Sequence, residues 1–572
     1  MAIKPVTTTD ETQGKLKGDV SVIVGDLRKR HSALLSERSH WVTDWRTLAA
    51  HFHPKRFRAL DESSADTNKP GLNDTLVSNE SVRGMRVLAA GMQGGMTSPA
   101  RPWFRLGVPQ PEVEQALAVK EWLAEVQRVM LNIMARSNFY DSIHQLYSEL
   151  GTFGSGCIFI LEDVKDVVRY RTLTAGEFCF ISGPQGRVQG LFRIVDLTAE
   201  NIVEKFGKDK VSSAVRTAAD DPGSKDKWFQ VVHVVLPNPK RDPEKIDGSG
   251  KQYESFYFEY AKDSTVASPH LLAYGGFEEQ PFAGPRWDVV GSDVYGRGPG
   301  MDALNDVKML QSMMSTILKA AHKQADPPVV APSDFWDVNT VPGGINYIDT
   351  TKADQLRPLY TVKADFVGAA ALADQVKADI REGLYNDLFK MLALSERGNM
   401  TLGEVKQRIE EKLIMLGPVI ERLHAELLDV IIDRTFEICF RRGLFPLPPV
   451  ELQGIDLKVE YISLLAQAQK MIGTSAIDQF LALIGTYAEL FPEMADIPDT
   501  DEVGEQYAEM LGVDPKLVRS RDDREERREA RAQAAQQAQQ MEQAMAGSQA
   551  IKNLGDADIE ESALSDLTGG MP

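Results

Sequence analysis

Two glycine-rich stretches are the first candidates for chemistry. GTFGSGC (151–157) and YGRGPG (295–300) have the small residues that let backbone N–H groups close around a phosphate. Neither ends in the Gly-Lys-Ser/Thr that sets a lysine on the terminal phosphates, so both read as turns. His51 and His53 could share a metal, but no cysteine or carboxylate ligand pair lies near them and Pro54 follows at once. They read as the end of a helix. Cys157, Cys179 and Cys439 are odd in number, far apart and free of any CxxC, which gives no zinc or disulfide framework and points to buried thiols. The acidic pairs Asp220-Asp221 and Asp522-Asp523 sit among polar residues as solvated faces rather than tuned acid–base pairs. No Gly-x-Ser-x-Gly elbow and no His-Glu-x-x-His occurs. These residues imply neither an enzyme nor a cofactor or metal.

The totals agree with that reading. A chain of 572 residues is too long for one hydrophobic core and implies several modules. With 43% apolar and 26% charged residues it is a globular composition. The net charge of −19 excludes a protein that coats nucleic acid through a broad basic surface, yet it suits one that lets DNA slide past. Nowhere do 18 uncharged apolar residues run together, so no membrane segment is expected. The polar N-terminus lacks the apolar core of a signal peptide, and cytosolic assembly is the expectation.

The elements that would position any function are mostly helical. Residues 1–18 read as a flexible arm. Apolar residues at helical spacing predict a helix or helix pair over 19–51 and a second helix over 78–92, ended by Gly91, Gly94, Gly95 and Pro99. Helices over 111–136 and 139–152 follow. At Gly154 the period changes to two: CIFILED, VVRYRTL, EFCFIS, VQGLFRIV, WFQVVHVVLP and SFYFEYA read as strands, with short helices near 198–206 and 209–219. The class is α+β, predominantly helical.

The stretch from Tyr295 to Gly443 dominates the second half. One stripe over 302–324 carries Leu304, Val307, Leu310, Met314, Ile317, Leu318 and Ala321, with Lys308, Gln311, Ser315, Lys319 and His322 opposite. Asp326-Pro327-Pro328 ends that helix, and 327–361 reads as a small strand-and-turn element. A further helix covers 364–389, LSERGNM is a polar break, and Thr401 with Glu404 makes a capping box for a helix reaching Arg442. Gly417-Pro418 predicts a kink in it. Two helices flanking a small tip are long and narrow for a self-contained core. Their apolar stripes suit packing against copies of the same chain. After a short strand, DLKVEYI, the segments to 546 are helical, the last of them charged and rich in Ala and Gln, and 547–572 reads as disordered.

Several of these stretches resemble the portal proteins of tailed bacteriophages, the head-to-tail connectors of short-tailed phages. LSERSHWVTDWRTLAAHFHPKR resembles the opening helix of that group, and NESVRGMRVLAAGMQGGMTSPARPWFRL its second helix and loop. YGRGPGMDALNDVKMLQ is similar to the start of the first stem helix, and MTLGEVKQRIEEKLIMLGPVIERLHAELLDVIIDRTFEICFRRG to the long helix after the tunnel loop. The likeness covers roughly residues 25–510.

The resemblance implies a portal fold with wing, stem, clip and crown, assembled as a ring of twelve copies at one capsid vertex of the virion. On it, 19–300 is the wing, 301–326 and 364–390 are stem helices, and 327–363 is the clip. Residues 391–400 form the tunnel loop with Ser395, Glu396 and Asn399, 401–462 the long kinked helix and wing return, and 463–546 the crown or barrel. Implied partners are double-stranded DNA in the channel, the terminase large subunit, the major capsid protein, a scaffold protein and a tail adaptor. Arg397, Lys308, Lys319 and Lys323 are the candidates to meet DNA phosphates. The competing class is a virion-internal or DNA-processing protein with an unrecognised catalytic site, which would hydrolyse ATP or cut DNA.

Overall fold

A helix of 33 residues, α1 (Val20–Phe52), joins two of the hydrophobic cores. Its first turns place Val24 and Leu27 against the face of a sheet that carries Cys179, Phe192, Val232, Val234, Phe256 and Phe258. Its last turns place Trp45, Leu48, Ala49 and Phe52 in the main core. Between them Arg38 is buried and donates to the carbonyls of Gly176 (3.0 Å) and Phe178, so a charged side chain holds the strand start below it. The helix is single and unbroken rather than a pair. The computed structural model describes residues 12–13, 20–57, 76–260, 271–330, 357–360, 365–395, 415–463, 474–488, 497–510 and 523–538, a few single positions aside.

Four helices and two small sheets join α1 in the main core, to which the helices of the second half add Val307, Leu310, Val376, Ile380 and Leu388. The four are α2 (Glu80–Met96), α3 (Leu117–Arg136) and α4 (Phe139–Phe153), with the long helix described below. The large sheet is an antiparallel meander of β5 (Phe178–Ser182), β6 (Val188–Thr198), β7 (Trp228–Pro237), β8 (Tyr253–Glu259) and β9 (Leu271–Phe277), with β1 (Thr12–Gln13) added at the β9 edge. Alternation on β7 explains its two covered faces. Val232 and Val234 meet α1, while Val231 meets α5 (Ala199–Phe206) and α6 (Ser213–Asp220) through Ile202, Phe206 and Val215. A three-stranded sheet has the order β10 (Phe282–Ala283), β3 (Cys157–Asp163), β4 (Val167–Leu173), and β2 (Phe104–Gly107) pairs with β13 (Lys458–Tyr461). Strand β9 was not expected from the sequence.

The second half supplies α7 (Leu304–Ala325), α8 (Phe366–Gly383), α9 (Asn386–Ser395) and α10 (Asp429–Arg441). Residues 415–423 are helical and run through a π-turn, His424–Leu428, into α10. The expected helix over 364–389 is in fact two, because Tyr385 takes φ 56° and turns the chain between α8 and α9. α2 also departs from expectation. It continues through Gly91, Gly94 and Gly95 to Met96 instead of stopping at them. A Cβ on Gly91 would lie 2.1 Å from Cγ of Phe389, so this glycine admits a neighbouring ring rather than ending the helix.

Residues 473–572 form a separate compact unit. Its described part comprises α11 (Thr474–Ala488), α12 (Thr500–Met510) and helical residues 523–538. Asp501 receives two hydrogen bonds of 2.6 Å from Arg528, tying α12 to that last helix. Among the described residues no helix is long and apolar enough to cross a membrane.

Candidate functional site

The antiparallel pair α7–α8 is the element with most to offer a function, and its inner end is firmly held. Val307, Leu310 and Gln311 of α7 are buried, as are Ala373, Val376 and Ile380 of α8. Gln311, expected on the exposed face, is instead a clamp. Its Oε1 accepts from the N–H groups of Val77 (2.8 Å) and Ser78 (2.9 Å), and its Nε2 donates to Ser78 O at 2.7 Å. One glutamine thus satisfies backbone groups just ahead of α2. Arg381 of α8 donates to Glu80 in the first turn of α2 at 2.6 Å. Leu384 fits against Gly84, where a Cβ would meet it at 2.6 Å. The sequence holds no signal for any of these three contacts.

Beyond this root the pair is open. No residue of α7 from Ser312 to Ala325 is buried, and Leu318 is 45% exposed. Val367 and Leu372 of α8 are 82% and 54% exposed. The chain then leaves and re-enters as a narrow neck. β11 (Val329–Val330) pairs with β12 (Arg357–Pro358), and Leu359 N–H donates to Pro328 O at 2.7 Å.

Lys308, Lys319 and Lys323 all lie on α7 and are exposed. At 100° per residue the first two differ by about 20° around the helix and the third by about 60°, so the structure brings them to one side. Lys308 and Lys319 stand roughly 16 Å apart along the axis. None of the three makes an ion pair to a described residue, and Lys323 Nζ sits 5.8 Å from the ring centre of Tyr360 at the neck. Ser395 is the last residue of α9. Glu396, Arg397 and Asn399 lie outside the described residues, as does the expected Thr401–Glu404 cap. Gly417 and Pro418 fall in the first described turn of the long helix.

The irregularity the structure does show in the long helix is the π-turn, and its residues are heavily engaged. Glu426 takes bonds from Arg286 N (3.1 Å), Nε (3.2 Å) and Nη2 (2.6 Å). The two side chains are only 4% and 11% exposed. His424 stacks on Tyr461 at 3.9 Å, and Tyr461 donates its hydroxyl to Asp429. Burial holds the His424 imidazole neutral, at a pKa of about 4. The widened turn therefore fastens the long helix to the segment after β10 and to β13. A π-turn of this kind gives no sequence signature beyond its residues.

The chemical candidates dissolve on inspection. The two glycine stretches close on each other: a Cβ on Gly154 (φ +73°) would stand 2.4 Å from Gly296 O, Trp287 N–H donates to Gly154 O, and Gly296 N–H to Ser155 Oγ. That space is filled by backbone, not left for a phosphate. His51 faces Thr47 O while His53 bonds Ser148 Oγ at 2.8 Å, and desolvation brings His53 down to about 3. All three cysteines are buried, and desolvation pushes Cys439 up to about 12. No group of three metal-ligating side chains occurs among the described residues.

The sequence has clear relatives. A family model described as "Bacteriophage head to tail connecting protein" matches residues 24–518. A "Probable portal protein" of Bordetella phage BPP-1 is 39% identical over 548 residues, covering 95% of this chain and 97% of the relative. A "Portal protein" of Salmonella phage epsilon15 is 37% identical over 545 residues, covering 94% and 97%. The chain belongs to the bacteriophage head-to-tail connecting protein family.

Proposed function

We propose that this portal protein works as one subunit of a ring, twelve copies in the expected arrangement, that surrounds double-stranded DNA at a capsid vertex during packaging and ejection. The observation that carries the reading is the α7–α8 pair: clamped at its root, bare of buried side chains along its outer half, and with exposed apolar residues that a neighbouring copy would cover. The lysine side of α7 then offers sparse positive charge in an otherwise acidic chain, which suits a channel that must not grip its cargo. On this reading the neck formed by β11 and β12 leads to the clip, the surface for the terminase large subunit and later the tail adaptor. Contacts with the major capsid protein and scaffold belong to the outer wing. The assembly is built in the host cytoplasm, is retained in the virion, and has a structural rather than catalytic role.

Negative-stain images of the purified protein test the ring directly: particles with a central hole are expected, and a single monomeric species at all concentrations would overturn it. Replacing Arg397 and Lys319 with Gln should reduce DNA packaging or retention while leaving the rings intact. Packaging equal to the unaltered protein would remove these side chains from the channel. ATP hydrolysis or DNA cleavage by the purified chain would favour the enzymatic alternative.

A further inference from the structure

A groove of about 540 Å³ opens between the first turns of α4 and strand β4, lined by Asn138, Asp141, Gln145, Arg169, Arg171 and Thr172 among others. β4 is the free edge of its sheet, but the edge is plugged: Asn138 accepts from Tyr170 N–H (2.9 Å) and donates to Tyr170 O (2.7 Å), and Thr172 donates to Ser142 O (2.6 Å). An added strand therefore has no place there. What remains is charge. Arg169 and Arg171 alternate with the buried Val168 and Tyr170, so both point to the same face, roughly 7 Å apart. Their cross-strand neighbours on β3 are Leu161 and Phe159, not carboxylates. Both are exposed and neither makes a hydrogen bond or ion pair to a described residue. Asp141 lines the same groove, and Arg169 helps hold Asp163 down after that carboxylate's bonds from Asp166 and Lys165, so these two like charges are only partly matched within the chain.

The same compact unit carries the opposite surface. Asp429, Asp433 and Glu437 follow at four-residue spacing on one face of α10, Asp429 accepting from Tyr461 and Glu437 standing 3.9 Å from Arg441. Asp433 is exposed and makes no hydrogen bond or ion pair to a described residue. Although its surface is open, the bulk of protein around Asp433 is the largest cause pushing its carboxyl up to about 6, with Asp429 and Glu437 adding to it.

We infer that the Arg169–Arg171 groove of one copy receives the Asp433–Glu437 ridge of the next. A contact between two different patches repeats head to tail and forms a ring when its rotation closes, which a self-complementary patch does not do beyond a dimer. The occupant is another copy of this chain rather than nucleic acid. A chain of net charge −19 repels a polyanion while carrying the matching acidic ridge on every copy. The inference rests on the ring reading above and names two surfaces that would join its subunits.

Charge exchange tests it. Arg169→Glu with Arg171→Glu, and separately Asp433→Lys with Glu437→Lys, should each lower the ring fraction at low salt on the order of tenfold or more, read by native mass spectrometry. All four changes in one chain should restore rings. If the unaltered protein forms no rings, the ring reading and this pairing fail together. If it forms rings and the one-sided reversals do so equally well, or the fourfold variant is not rescued, only the pairing is overturned. A second measurement does not depend on the reversed chains folding. Mixed Arg171→Cys and Asp433→Cys proteins, treated with a short bismaleimide, should give a covalent dimer absent from either alone, since the native cysteines are buried. No dimer in the mixture would count against the contact.

Discussion

On α7 the buried residues Val307, Leu310 and Gln311 give way to fourteen positions, Ser312 to Ala325, none of which is buried, and α8 mirrors this with an open start and a buried end at Ala373, Val376 and Ile380. The helical periodicity of apolar residues is the same in both halves. What differs is the neighbour. At the root stands α2, whose glycines let Leu384 and Phe389 approach its backbone, and whose first turn and approach are held by Arg381 and Gln311. Among the described residues the outer half has no such neighbour. An amphipathic stripe is thus a demand for a partner rather than evidence of a core, and the demand is met inside the chain at one end only.

The root side of this comparison breaks most readily at its buried charges. Glu426→Ala leaves Arg286 buried without its carboxylate, and a loss of roughly 3–5 kcal/mol is expected. Chemical denaturation of the monomer measures it, and a loss below about 1 kcal/mol would show that the π-turn is not fastened through this pair. Next in size is Gly91→Val. The added side chain collides with Phe389, and overpacking of this kind costs about 1–3 kcal/mol. Combining it with Phe389→Ala should give a double variant more stable than the sum of the two single losses predicts, because the ring that obstructs the new side chain is gone. Strict additivity would mean that the glycine is not there for the ring.

The sequence was most informative where local pattern and packing agree. β3 and β4 begin and end where CIFILED and VVRYRTL do, because runs rich in β-branched and aromatic side chains are bounded by a turn in which Asp163 accepts from the N–H groups of Lys165 and Asp166. It was least informative where a tertiary contact overrides the local rule. Gly91, Gly94 and Gly95 look like a helix end and are helix interior, since close packing against Phe389 at Gly91 and Leu465 at Gly95 offsets about 1 kcal/mol per glycine of lost propensity. Gly383 ends α8 where the apolar spacing runs on, and the chain turns at Tyr385 beside Trp287. LLAYGGF hides a strand behind two glycines, one of which admits the turn at Gly248. Of the candidate site, the lysines on α7 were legible as residues, but the placing of Lys323 over Tyr360 depends on the neck, which brings together positions 37 apart in the chain.

The outer half sharpens the comparison through a change that should spare the monomer. Leu318 and Leu372 already meet solvent, so Leu318→Ser with Leu372→Ser removes little intramolecular burial, and monomer stability should move by no more than about 0.5 kcal/mol per site. If a neighbouring copy covers them, each leucine contributes about 1.5–3 kcal/mol to every interface it enters. The concentration needed for assembly should then rise by at least roughly tenfold, measured by sedimentation over a dilution series. Unchanged assembly with an unchanged monomer would mean that the outer stripe stays uncovered even in the ring. The same pair of substitutions at Val307 and Leu310 should do the reverse, unfolding the root before assembly is reached, because those side chains are at most 1% exposed in the single chain. The two halves of one helix would then be separated by experiment into a part that folds the subunit and a part that joins it to others.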